Sequence, residues 1–381
     1  MASIISDEKI SPIIWPSKLV ADRDMTYESL DLLYKQSSTE VFGDKMAFIM
    51  ACSRHFNFEK NDPRGVLHIV QVQPMPDFLQ AKIQVTHEVL PGLGACTQII
   101  PANPKLKVAS FDHGSIIPIS NFGPNKTFHS DVRGRLSHHS GQITCMASNV
   151  NGTKLATGCS AGGITFYEVR ETNITFTTRT TEADPGLITA MAYLKNEPGF
   201  SFGPPDATPV NENLLIYAND VGKVYLMDSR CKLAEPPMDE ELFRTEPPCS
   251  ITSLCPLRNQ PGHIVYFGDV EGRLFAHDLR YGSEPIYSSQ DPNDGAILRM
   301  KEITVREGGR QKEFLAYSNS TRKIKIIDLE TMEAHPGWSC ERLPDGNVKD
   351  LIQVDDKIVT CGTKTSIGCW KWSDPSINVS F

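Results

Sequence analysis

Three kinds of side chain in this sequence have the chemistry for a reactive or metal-binding site: ten cysteines, ten histidines and an acidic excess that leaves a net charge of −8. The cysteines (Cys52, Cys96, Cys145, Cys159, Cys231, Cys249, Cys255, Cys340, Cys361 and Cys369) form no Cys-x-x-Cys pair, and none joins a histidine at zinc spacing. Most sit in apolar strand patterns such as Ile143-Thr144-Cys145-Met146-Ala147 and Ile358-Val359-Thr360-Cys361. There a reduced thiol behaves as a small core side chain. His138 and His139 are adjacent, so on an extended chain they point to opposite faces and do not share an ion. Pro91-Gly92-Leu93-Gly94 reads as a turn, without the strand-to-helix setting of a phosphate-binding glycine loop. A Gly-x-Ser-x-Gly elbow, a Walker lysine loop, a His-Glu-x-x-His helix and an EF-hand are all absent from the sequence. Met238-Asp239-Glu240-Glu241 reads as a solvated acidic loop tip. The expectation is a non-enzyme with no catalytic residue, no metal ligand and no cofactor.

The bulk properties narrow the partners. A pI near 5.7 gives no positive field for a phosphate backbone, so no direct nucleic-acid binding is expected. No apolar run approaches the roughly 20 residues of a membrane-spanning helix. Asp7 and Glu8 stand where a secretory leader would be basic and then apolar. These features predict a soluble intracellular protein with protein partners and no membrane insertion. The Asn-x-Ser/Thr triplets at Asn125, Asn151, Asn173, Asn319 and Asn378 then read as turn and strand sequence.

The elements that must carry these side chains repeat. In His139–Val169, Ile143, Cys145 and Ala147 alternate as a strand, Asn149-Val150-Asn151-Gly152 turns, and Leu155-Ala156-Thr157-Gly158 forms a second strand. Ser160-Ala161-Gly162-Gly163 makes a tight hairpin into a third, marked by Ile164, Phe166 and Val169. About seven such units follow one another, over residues 46–86, 95–132, 138–178, 186–233, 249–289, 294–333 and 346–372. Asp228, Asp278 and Asp328 each end an apolar strand and lie 50 residues apart. One such unit cannot bury both of its faces, whereas a ring of them can. The predicted architecture is one all-β domain over residues 1–381, a seven-bladed β-propeller. A strand at about 9–16 (Lys9 to Trp15), or Ile377–Phe381, would close it by completing the last blade.

Outside the repeats, residues 25–36 (MTYESLDLLYKQ) place Tyr27, Leu30, Leu33 and Tyr34 on one face at helical spacing. This predicts a short helix, or an imperfect inner strand, at one propeller edge and makes those four residues candidate partner contacts. Arg54 to Arg64 reads as a long hairpin loop, and 197–213 and the acidic, proline-rich 235–248 read as surface insertions. Pro118 is awkward inside its strand because it cannot donate to a ladder.

The repeated unit resembles the WD-repeat β-propeller family: a leading His, an Asn-Gly first turn, a small-residue strand and a Gly hairpin. The resemblance implies a buried His–Ser/Thr–Trp–Asp tetrad in each blade. His139 and Thr157 match it, Tyr167 stands at the Trp position and Ala161 at the Asp position. In the fifth unit His277 and Glu271 hold the Trp and Asp positions, and Trp370 keeps the Trp of the seventh. The Trp-Asp dipeptide never occurs, which implies a divergent, WD40-type propeller held mainly by sheet packing. Asn259 to Ile286, and Lys9-Ile10-Ser11 followed by Trp15, are similar to the small WD-repeat nucleoporins of the Y-shaped outer-ring complex. Residues 25–44 and 235–248 depart from that likeness.

That likeness implies a non-catalytic scaffold subunit of the nuclear pore outer ring, supporting protein and mRNA transport at the nuclear envelope. It also implies docking on larger outer-ring nucleoporins and passage with them to kinetochores in mitosis. A second expectation comes from Leu226-Met227-Asp228-Ser229-Arg230 and Phe275-Ala276-His277-Asp278-Leu279-Arg280. Both partly resemble the Asp-x-Arg strand end of cullin-type ubiquitin-ligase substrate receptors, which would make Arg230 and Arg280 adaptor contacts. A third, an assembly adaptor such as an arginine-methylation cofactor, shares the fold.

Overall fold

A computed structural model describes residues 25–37, 45–57, 62–74, 79–88, 94–120, 129–130, 136–180, 186–194, 213–230, 240–257, 264–279, 284–290, 295–307, 309–340, 347–354, 357–362 and 367–371. These form strands and turns, with no α-helix among them. Sheet 1 is β1 (Met25–Ser37), β2 (Lys45–Asn57), β3 (Asp62–Pro74) and β4 (Leu79–Glu88). Sheet 2 is β5 (Cys96–Asn103), β6 (Leu106–Phe111), β7 (Ser115–Ser120) and the short β8 (His129–Ser130) and β9 (Leu136–Ser137). Sheet 3 is β10 (Ile143–Ser148), β11 (Lys154–Cys159), β12 (Ile164–Arg170) and β13 (Asn173–Arg179). Sheet 4 is β14 (Ile188–Tyr193), β15 (Leu214–Asn219), β16 (Lys223–Asp228) and β17 (Glu240–Arg244). Sheet 5 is β18 (Ile251–Pro256), β19 (Ile264–Asp269), β20 (Arg273–Asp278) and β21 (Tyr287–Gln290). Sheet 6 is β22 (Ile297–Glu307), β23 (Arg310–Asn319), β24 (Ile324–Asp328) and β25 (Ala334–Cys340). Sheet 7 is β26 (Val348–Val354), β27 (Lys357–Gly362) and β28 (Ile367–Lys371). Each is an antiparallel meander in chain order, apart from the split outer edge of sheet 2.

The sheets meet through their first strands. β1 lies against β5, β5 against β10, β10 against β14, β14 against β18, β18 against β22 and β22 against β26, and β26 lies against β1 again. The apolar core is divided accordingly, because every buried cluster is shared by two consecutive sheets. Sheets 3 and 4 enclose Phe166, Ile188, Leu215 and Tyr217, sheets 4 and 5 enclose Ile216, Phe243, Val265 and Phe267, and sheets 6 and 7 enclose Phe314, Ile324, Val348 and Leu351.

A repeated irregularity fits one sheet to the next. The first strand of each sheet from 2 to 7 carries a β-bulge after its first residue, so that one extra residue is inserted: Thr97, Thr144, Thr189, Thr252, Leu298 and Lys349. Three of the four threonines reach across the gap. Thr97 Oγ1 donates to the Ile143 carbonyl of the next sheet at 3.2 Å, and Thr144 and Thr252 donate to the next-sheet carbonyls of Ile188 and Ile297. Opposite the residue after the bulge, the second strand carries a small side chain: Ser110, Gly158, Ala218, Gly268, Ser318 and Cys361. The space is taken by the next sheet, since a Cβ on Gly158 or Gly268 would lie 2.7 Å from Cγ2 of Ile188 or Ile297.

Several expectations require correction. Of the two forms expected for residues 25–36, the imperfect inner strand is the one observed and the short helix is not: they lie in β1, the first strand of sheet 1, which therefore begins at Met25 and not near residue 46. β1 is bulged between Tyr27 and Ser29 and again between Leu32 and Tyr34. Each bulge stretches a two-residue repeat to three, which imitates helical spacing. The span Arg54 to Arg64 is mostly ladder, with Arg54 paired to Gly65 and Asn57 to Asp62. The 235–248 stretch is not only a surface insertion, because Glu240–Arg244 is the fourth strand of sheet 4 and Phe243 is buried in its core. Pro118 is accommodated by a break in the outer edge: β9 pairs with Ser115 and Ile116, β8 with Ile119 and Ser120, and neither pairs with Pro118. The proposed closing strands 9–16 and 377–381, and residues 197–212 of the other insertion, lie outside the described residues.

Replacing Gly268 by Ala should overpack the gap against Ile297 and cost about 1–3 kcal/mol of unfolding free energy. Urea denaturation checks this, and the Gly268→Ala/Ile297→Ala double variant should lose less than the two single variants added together.

Candidate functional site

The structure brings together one set of side chains anticipated from sequence. His139 leads into sheet 3, Thr157 lies on β11 and Tyr167 on β12, and all three are buried. His139 Nε2 and Thr157 Oγ1 are 2.6 Å apart in a buried hydrogen bond. Burial lowers the His139 imidazole to about 4, and the nearby Arg179 and His138 push the same way. Burial raises the Tyr167 phenol to about 12, against smaller opposing effects of Thr157 and Arg179. The adjacent His138 packs its ring on Phe176 at 4.2 Å, with Tyr167 edge-on to Phe176 at 6.3 Å. Ala161, at the expected Asp position, contributes no polar side chain. His277 is buried on β20 beside Phe243 and Phe267, and burial holds its pKa below the usual value while Asp278 and the Glu284 backbone oppose the shift. Trp370 falls on β28 opposite Ile358, and nothing is described of its side chain.

The three aspartates 50 residues apart occupy equivalent register positions, Asp228 opposite Leu214, Asp278 opposite Ile264 and Asp328 opposite Phe314. They finish the third strand of sheets 4, 5 and 6. Asp228 accepts from the Arg230 backbone at 2.9 Å and Asp328 from the Glu330 backbone at 2.8 Å, each closing a turn, while Asp278 is buried. A matching device that sequence reading missed sits at the other end of these strands. Asn219, Asp269 and Asn319 each accept two backbone N–H groups across the following hairpin: Val221 and Lys223, Glu271 and Arg273, Thr321 and Lys323. The hairpins pass through positive φ at Gly222, Gly272 and Arg322. The available signal was an Asn or Asp at the same 50-residue interval, three residues before each of these turn positions.

The expected partner contacts that the structure describes lie along β1 and just after β16. Tyr27, Leu30, Leu33 and Tyr34 lie along β1, where Tyr27 and Leu30 pair with Ser53 and Ala51, Tyr34 pairs with Phe48 and Leu33 falls at the second bulge. Arg230 is half exposed and held by Asp228, with Nε 2.9 and 3.0 Å from the two carboxylate oxygens. Burial alone would raise Asp228, but hydrogen bonds and charge from Arg230, with Lys154 from sheet 3, hold it below its ordinary value. Arg280 lies outside the described residues, as do Met238 and Asp239. Glu241, expected at a solvated tip, is on β17 and pairs with Arg244 at 2.9 Å.

Among the described residues no group of three or more His, Cys, Asp or Glu side chains is placed to hold a metal ion, and no helix is long and apolar enough to cross a membrane. Cys96, Cys145, Cys159, Cys249, Cys255 and Cys361 are buried free thiols. What the side chains share is a structural chemistry: buried hydrogen bonds that fix hairpins and join sheets. No protein-family model matches the chain, and no curated protein is significantly similar to it.

Because folding holds His139 neutral, its contribution is full above the unfolded imidazole pKa of about 6.5 and is lost as pH falls from there through about 4. The unfolded ring binds a proton that the folded one refuses. Urea midpoints measured from pH 7 to pH 4 should fall in the wild type, and His139→Gln should flatten that slope whatever its effect at pH 7.

Proposed function

We propose that the protein is a non-catalytic interaction scaffold folded as a seven-bladed WD40-type β-propeller. The observation that carries this reading is the cycle of first strands, in which β26 returns to β1 after six sheet-to-sheet steps. Seven meanders whose first strands follow one another in a cycle, with each described buried cluster shared by two neighbouring sheets, fit blades arranged around an axis. The bulges, threonine bridges and small-residue positions are then what fixes one blade to the next. A fold of this kind presents hairpins and outer strands as binding surface, and the chemistry of those surfaces decides the partner.

Within that class, the favoured role is a structural subunit of the nuclear pore outer ring, with larger outer-ring nucleoporins as partners. It rests on the likeness of Asn259 to Ile286, which includes β19 and β20. In β20 Arg273 is buried, with Nε bonded to Asp269 and Nη1 to the Glu246 carbonyl at 3.0 Å, tying sheet 5 to the chain arriving from sheet 4. The nuclear envelope and, in mitosis, kinetochores are the corresponding locations. A ubiquitin-ligase substrate receptor is the second reading, favoured by the half-exposed Arg230 at the end of β16. Its engagement with Asp228 weakens that reading, because an adaptor carboxylate would have to displace a bidentate partner.

Tagged protein purified at moderate salt, with its partners identified by mass spectrometry, separates the two. Recovery of outer-ring nucleoporins in near-equal amounts supports the scaffold; recovery of a cullin and its adaptor without nucleoporins sinks it. On the ligase reading, Arg230→Ala combined with Arg280→Ala removes the adaptor, whereas on the scaffold reading the same double variant keeps its full complement of partners.

A further inference from the structure

The outer edge of each sheet exposes backbone donors and acceptors that another chain can pair with, and most of these edges carry a recognisable block. β17 contains Glu240, Glu241 and Arg244, β21 has only four residues, β25 contains Pro336, and β8 and β9 have two residues each. β4 carries Lys82, His87 and Glu88. β13 is different. Its sequence, Asn173-Ile174-Thr175-Phe176-Thr177-Thr178-Arg179, has no proline and no charge before its last residue, and it is rich in strand-forming side chains. Among the described residues it pairs only with β12, and its Phe176 is 41 % exposed.

Its backbone is set to pair outward. Ile174 lies opposite Val169, whose N–H is turned the other way, to the Thr153 carbonyl at 2.8 Å. Val169 and Ile174 are therefore a non-hydrogen-bonded pair, and the Ile174 N–H and C=O point away from the sheet. Phe176, two residues on and before the bulge at Thr177, repeats that direction. The charges flanking the strand are opposite: Glu171 precedes it and Arg179 ends it. An antiparallel copy reverses the order, so each Arg179 comes over a Glu171.

We propose that β13 is a self-complementary edge through which two copies of this chain pair antiparallel, centred on Thr175. In that register Ile174 faces Phe176 of the second copy in both directions, which uses the outward-pointing backbone groups of all four residues. Thr175 faces Thr175, and the exposed Phe176 rings are covered. The result is one continuous eight-stranded sheet across a twofold axis. This inference rests on sheet 3 alone and stands or falls separately from the nucleoporin reading.

Sedimentation velocity of the full-length protein over a range of concentrations tests it. The wild type should show a concentration-dependent monomer–dimer equilibrium. Thr175→Lys, at an exposed position, sets like charges directly opposite one another and should lose the dimer while keeping the wild-type unfolding midpoint. Thr175→Cys should cross-link to a reducible dimer under mild oxidation, because the Cα atoms of a non-hydrogen-bonded pair lie about 4.5 Å apart, within disulfide reach. The wild type, oxidised alongside, should not. Glu171→Lys or Arg179→Glu alone should weaken the dimer, and the two together should restore it. A wild type that stays monomeric throughout, a Thr175→Lys variant that dimerises as well as wild type, or a Thr175→Cys variant that fails to cross-link would each overturn the proposal.

Discussion

Burial of one sheet by the next is the constraint on which the rest of this structure depends. A four-stranded antiparallel meander has two faces, and no helix among the described residues covers either of them. The apolar side chains of sheets 2 to 7 leave water only because each inter-sheet gap is filled from both sides. That demands close approach at the first strands, where backbone nears backbone. The small residue opposite each bulge makes the approach sterically feasible, and at three of the bulges the threonine adds a hydrogen bond to a next-sheet carbonyl. Gln98 and Gln353 do similar work, reaching the Met146 N–H and the Thr304 backbone of the facing strands at 2.8 and 2.9 Å.

A wall built this way separates two duties. Among the described residues, the first three strands of sheets 2 to 7 are committed to packing, and several of the histidines, cysteines and aspartates that first suggest chemistry lie buried in them. His139 is kept neutral by burial and bonded to Thr157, Cys145 is a thiol pushed up to about 12 by burial, and Asp269 is tied to Arg273. On the proposed scaffold reading, recognition is left to the hairpins and outer strands, whose sequences differ from sheet to sheet. Sheet 4 ends in the charged β17, sheet 6 in a proline-bearing strand and sheet 3 in an uncharged one.

The legible parts of the fold were those where period-two alternation met an Asn or Gly turn without interruption. His139 to Val169 is the best case, since the strands and the His139–Thr157 bond lie where the pattern puts them. Legibility failed where a local irregularity altered the period. Two bulges in β1 turned alternation into an apparent helical face and led to the grouping of Tyr27, Leu30, Leu33 and Tyr34. In β17 the acidic and proline-rich surroundings concealed a strand whose anchor is a single buried Phe243. Two of the threonine bridges were in view in the recurring Ile-Thr of Ile143-Thr144 and Ile251-Thr252, but a threonine in a strand is ordinary. Only the register reveals that these are bulged residues aimed at the adjacent sheet.

The contact between β1 and β26 has a consequence for how this chain is made. During synthesis sheet 1 emerges first, yet one of its two neighbours is the last sheet to leave the ribosome. At roughly 5–20 residues per second, the side of β1 that meets β26 waits on the order of half a minute for that neighbour. Until then the nascent chain is an open arc with an unsatisfied end, and joining that end to sheet 7 closes a loop that runs through every other sheet. The seam is thus both the latest contact to form and the one whose loss would reopen the arc, leaving the newborn protein dependent on whatever shields sheet 1 in the meantime.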